Sequence, residues 1–101
     1  MEQGTYGSVT NHPALIAIYD MVDKLVEKER NYISSFFNDF NYYFKNIQFI
    51  KDRRFRVYVI NTMREDYKVK VKILETKYEK RLCSHIQNYI FGKLREELSK
   101  S

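Results

Sequence analysis

Phe55-Arg56-Val57-Tyr58-Val59-Ile60-Asn61-Thr62-Met63-Arg64-Glu65-Asp66-Tyr67-Lys68-Val69-Lys70-Val71-Lys72-Ile73 carries two competing periods. With a period of two, Phe55, Val57 and Val59 alternate with Arg54, Arg56 and Tyr58, and Tyr67, Val69, Val71 and Ile73 alternate with Lys68, Lys70 and Lys72. Successive side chains of a strand fall on opposite faces, so two such runs around the polar 61–66 connection spell a β-hairpin with one greasy and one cationic side. With the helical period, Tyr67, Val71 and Leu74 share a face while Val69 and Ile73 project from the other. The strand reading leaves no apolar residue on the wrong side and is preferred. Thr62 followed by Glu65 has the form of a capping box and supports the rival, one long helix within an all-helical hairpin.

Working outward, Thr76-Lys77-Tyr78-Glu79 has the same capping-box form and predicts the start of a last helix. Leu82, Ile86, Ile90, Leu94 and Leu98 follow at four-residue intervals, flanked by Tyr78, His85 and Tyr89, with Gly92 a mild weak point. At the other end, Asn11-His12-Pro13 predicts a helix start, because Asn caps free backbone N–H groups and Pro is tolerated in the first turn. Leu15, Ile18, Tyr19, Val22, Leu25 and Val26 then form an amphipathic stripe that continues to Ile33, Phe36, Phe37 and Phe40, with a bend expected where Glu29-Arg30-Asn31 crosses it. Four Asn/Asp residues among the aromatics from Asn38 to Asn46 predict the end of this helix, and Tyr43 to Ile50 is a candidate first strand.

The expected architecture is therefore α+β: an N-terminal helix, an antiparallel hairpin of two or three strands, and a C-terminal helix. The alternative is an all-α antiparallel helical hairpin. Residues 1–10 read as a flexible tail and residues 11–101 as one basic domain, since a second core would starve the first in a chain of 101 residues. No Gly or Pro occurs from Ala14 to Phe91, which argues for helix. That argument is discounted because abundant Phe, Tyr, Ile, Asn and Lys with scarce Ala, Gly and Pro is the mark of an A/T-rich genome.

The charge is uneven. Residues 1–50 carry four Lys/Arg against six Asp/Glu, residues 51–75 eight against four, and residues 76–101 six against three, so the net +5 belongs to the second half. On a hairpin, Arg54, Arg56, Lys68, Lys70 and Lys72 would emerge together beside Tyr58, extended by Arg53, Lys77, Lys80 and Arg81. Like charges facing one another on a sheet repel unless something anionic lies against them, so this face is read first as a nucleic-acid surface contacting phosphates, with Tyr58 stacking on a base or sugar. An acidic protein or a lipid surface would also fit, and the bland alternative is that Lys on exposed strands simply blocks aggregation.

Sixteen per cent of the chain is aromatic, with 9 Tyr and 7 Phe. The group Tyr32, Phe36, Phe37, Phe40, Tyr42, Tyr43 and Phe44 is too dense for so small a core, which makes Tyr32, Phe36, Phe37, Phe40 and Tyr43 candidates for a protein interface or a homodimer contact. The alternative function is accordingly a protein-interaction or assembly module.

Catalysis is not expected. His12, His85 and the single Cys83 cannot build a Cys/His zinc site of usual spacing, and Cys83 and His85 point to different faces of a helix. Gly4, Gly7 and Gly92 match neither a phosphate-binding loop nor a dinucleotide fingerprint, so no metal or cofactor is predicted. One cysteine excludes an internal disulfide framework, and no run approaches the ~18 apolar residues of a membrane helix, so an intracellular protein, cellular or viral, without membrane insertion is expected. The order helix, antiparallel strands, helix is similar in topology to double-stranded-RNA-binding domains and the Alu-binding proteins of the signal recognition particle. Lys77-Tyr78-Glu79-Lys80-Arg81 departs at two positions from the Lys-Lys-x-Ala-Lys run of the RNA-binding domains, and their Gly-Pro loop is missing.

Overall fold

The stretch with two periods is helical from end to end. In the computed structural model, which describes residues 13–100, the helices are α1 (Pro13–Val22), α2 (Glu27–Ile47), α3 (Arg53–Glu75) and α4 (Lys80–Ser99), and the described residues contain no strand. The α+β expectation, its hairpin and the candidate strand at Tyr43 to Ile50 are overturned in favour of the all-helical alternative. The topological likeness to RNA-binding domains falls with them.

Helix wins in α3 because a second, sparser pattern lies under the alternation. Ile60, Met63, Tyr67, Val71 and Leu74 recur at intervals of three and four and are all buried. Such a stripe lines one side of a helix and packs against others. A hairpin would also have needed a third element to complete it, since two strands alone are marginal in water. The start of α3 is built locally: Asp52 is its N-cap, and its carboxylate accepts the backbone N–H of Arg54 at 3.0 Å and of Phe55 at 3.4 Å.

Neither capping box works as one. Thr62 lies mid-helix and donates its hydroxyl to the Tyr58 carbonyl at 2.9 Å. Thr76 ends α3, with its hydroxyl on the Ile73 carbonyl at 2.7 Å, and the N-cap of α4 is Glu79, three residues beyond the predicted Thr76. Ser and Thr serve both ends of helices through the same short hydroxyl, and the motif alone does not say which.

Near the N-terminus, Pro13 opens α1 as predicted, while Asn11 lies outside the described residues. The break in the long amphipathic stripe falls at residues 23–26 rather than at Glu29-Arg30-Asn31, which are in the opening turns of α2. Arg30 crosses the apolar stripe because its guanidinium reaches back to donate to the Leu25 carbonyl, tying the connection between the two helices. Helix α2 then runs through all four Asn/Asp of the 38–46 region, where Ile33, Phe37, Phe40 and Ile47 keep helical spacing and are buried.

The four helices share one core. α4 packs against both α1 and α3 and supplies Leu82, Cys83, Ile86, Tyr89, Ile90 and Leu94. Phe37, Phe40, Tyr67 and Tyr89 form its aromatic centre, with Phe40 edge-on to Tyr67 at 5.3 Å and Phe37 edge-on to Tyr89 at 5.9 Å. The α2–α3 seam is much slighter than the α3–α4 seam, which leaves an opening along one side. None of the helices is long and apolar enough to cross a membrane.

Candidate functional site: an aromatic groove between α2 and α3

The opening is a groove of about 560 Å³ where the C-terminal half of α2 diverges from the N-terminal half of α3. Tyr43, Ile47 and Ile50 form one wall, Phe55, Tyr58, Val59 and Met63 the other, and Tyr67 belongs to the lining at the end where Asp66 lies. Local rules place these side chains. Asp52 fixes the start of α3, which puts Phe55, Tyr58 and Thr62 on successive turns facing away from the α3–α4 seam.

Tyr43, Phe55 and Tyr58 are the exposed rings of the lining, and Tyr42 lies beside Tyr43 outside it. Phe55 and Tyr58 stack at 6.4 Å and 20°, and Tyr42 meets Tyr43 edge-on at 5.4 Å. All four remain open to solvent: Tyr42 64%, Tyr43 55%, Phe55 53% and Tyr58 65%. A buried aromatic covers 150–250 Å², so these exposures add to roughly 500 Å² over the two pairs, the size of the largest apolar patch on an ordinary monomer, which is often functional.

Tyr67 adds a polar feature. Its ring is wedged edge-on between Phe36 and Phe40, it is only 1% exposed, and its buried hydroxyl has no hydrogen-bond partner. Burial, helped by the Asp39 and Asp66 carboxylates and Tyr43, pushes its pKa up to about 12. The hydroxyl therefore stays protonated and retains an unused donor and two acceptor lone pairs.

The cations are divided by the helix. Residues two apart on a helix are about 200° apart, so Lys70 lies on the opposite flank of α3 from Lys68 and Lys72, which line one cleft together. Lys68 lines a second cleft of about 330 Å³ with Arg64, Phe91 and Arg95, and its ammonium meets Glu65 at 3.0 Å. Lys70 meets Asp66 at 2.8 Å and sits 5.5 Å from the Tyr67 ring centre. Arg53 and Arg54 are exposed in the first turn of α3, while Arg56 is half-buried with its Nε unpartnered. Lys77 lies in the α3–α4 connection, 4.6 Å over the Tyr32 ring, and Arg81 is exposed at the start of α4. With no sheet among the described residues, these cations are not collected on the face drawn for a hairpin.

Of the proposed interface aromatics, Tyr43 lines the groove and Tyr32 is exposed but stacked on Tyr78 at 6.2 Å. Phe36 is half-buried, and Phe37 and Phe40 are core residues with no ring face to offer a partner. Ile50, Phe55 and Met63 were not foreseen in the groove lining, and Tyr58, expected on a hairpin face, lies in that lining instead. A usable signal was present: Phe55 and Tyr58 are the aromatic residues of α3 that fall off its helical stripe. Cys83 is buried against the Tyr78 carbonyl at 3.8 Å, and burial pushes its thiol up, away from nucleophilic use. No protein-family model matches the chain, and neither a curated protein nor a solved structure matches it.

Proposed function

We propose that this chain is a protein-interaction module that takes a segment of another polypeptide into the groove between α2 and α3. The observation that carries this reading is two pairs of exposed, touching aromatics, Tyr42–Tyr43 and Phe55–Tyr58, three of whose rings line the groove between the helices. Large rigid rings contribute much contact area at low entropic cost and dominate interface energetics. A groove walled by two helices suits an amphipathic helix laid along it, with residues at i, i+3 and i+7 as anchors.

The test is selection of displayed random peptides of about 16 residues on the immobilised full chain, with the Phe55→Ser/Tyr58→Ser double variant as counter-target. Peptides that bind the parent chain and lose the variant support the reading. A selection that enriches nothing, together with a concentration-independent monomer by light scattering, defeats it. The variant replaces two exposed rings, so unchanged circular dichroism and thermal unfolding will show that the fold is intact.

A further inference from the structure

We infer that the groove's occupant is an acidic amphipathic helix of a different protein, rather than a second copy of this chain; this rests on the docking function proposed above. Positive charge gathers at the end of the groove where α2 turns into α3. Ile50 and Phe55 line the groove on either side of that turn, and between them lie Lys51, Arg53 and Arg54, all exposed. The carboxylate in that segment, Asp52, already accepts two backbone N–H groups as the cap of α3. One turn further on, Arg56 has its Nε buried without a hydrogen-bond partner.

Three exposed cations next in sequence to the groove residues Ile50 and Phe55, against the single carboxylate of Asp52, give this turn a net positive charge that suits a helix bearing Asp or Glu next to its apolar anchors. Arg recognises carboxylate through two parallel hydrogen bonds, and a basic rim speeds encounter with acidic partners. The negative end of a docked helix's dipole would also be favoured beside the turn, so its C-terminus should lie near residues 51–54. The opposite end of the groove is different in character. There Asp66 faces its own Lys70, leaving little net charge to attract a second basic domain. A symmetric dimer brings two domains of net +5 together, which works against self-association.

The peptides selected on the parent chain provide the test, read against a Lys51→Glu/Arg53→Glu/Arg54→Glu variant by fluorescence anisotropy at low and high salt. Asp52 is kept, so the cap of α3 survives. The expected result is enrichment of Asp/Glu beside apolar residues at helical spacing, affinity lost roughly tenfold or more on charge reversal, and weaker binding as salt rises. Groove-dependent peptides with no carboxylate preference, or with affinity unmoved by charge reversal, would overturn the acidic partner while leaving the docking function standing. A dimer seen by light scattering and abolished by Phe55→Ser/Tyr58→Ser would likewise reassign the groove to a second copy. No enrichment with a monomeric chain would remove both.

Discussion

The two sides of α3 are nearly as apolar as each other and have opposite fates. Ile60, Met63, Tyr67, Val71 and Leu74 are buried, whereas Phe55, Tyr58, Val69 and Ile73 on the far side stay roughly half exposed or more. Apolar character admits a residue to a core; spacing selects which residues enter. The inner set recurs at three and four residues and meets α4 and α2 together. The outer set is the remainder of the alternating pattern, and its first two members form a wall of the groove.

The largest contrast between these sides is in stability. Ile60→Ala on the inner face should cost about 2–5 kcal/mol in urea unfolding, because it removes fully buried methyl groups and leaves a cavity. The same truncation at Ile73, which is 46% exposed, should stay within about 0.5 kcal/mol. Equal costs at the two positions would mean that the outer face is buried in solution.

Tyr67 sharpens the boundary between the sides, since it belongs to the core and touches the groove. Its pKa is raised from 10.0 to about 12, so the folded state binds the proton more tightly than the unfolded chain does. Its contribution to stability is intact below pH 10 and lost as pH rises from 10 through 12, by up to about 2 kcal/mol. Tyr67→Phe should flatten that part of the alkaline unfolding curve. At pH 7 it should stabilise by about 1 kcal/mol, because it removes a buried hydroxyl that has no partner. Destabilisation at pH 7 would show that the hydroxyl is bonded in the free protein.

Asp52→Ala should cost about 1 kcal/mol through loss of the cap, with the frayed first turn of α3 displacing Phe55 and weakening peptide binding more than stability alone predicts. Hydrogen exchange at Arg54 and Phe55 will report the fraying. The smallest effect is expected for Lys70→Ala, which breaks an exposed pair with Asp66 and should change stability by less than about 0.5 kcal/mol.

Much of the helical layout was readable. The Pro13 start, the stripe of α1 and the four-residue ladder of α4 follow from patterns that have one interpretation. The absence of Gly and Pro from Ala14 to Phe91 was a true helix signal, and discounting it as codon bias was the misstep, because bias in composition does not remove the physical consequence of lacking helix breakers. The groove was not readable in the same way. Phe37 and Tyr43 look alike in sequence, and one is 2% exposed while the other is 55%.

From its residues alone this chain determined that it would hold amphipathic helices at both ends, place its positive charge in the second half and carry more aromatic surface than a small core absorbs. Only the tertiary structure chose between the two periods of residues 55–73. A helix closes its own backbone hydrogen bonds, whereas a strand depends on a neighbour to do so. With α2 and α4 beside it and no strand among the described residues to pair with, the stretch coiled, and rings that found no place inside came to line the groove.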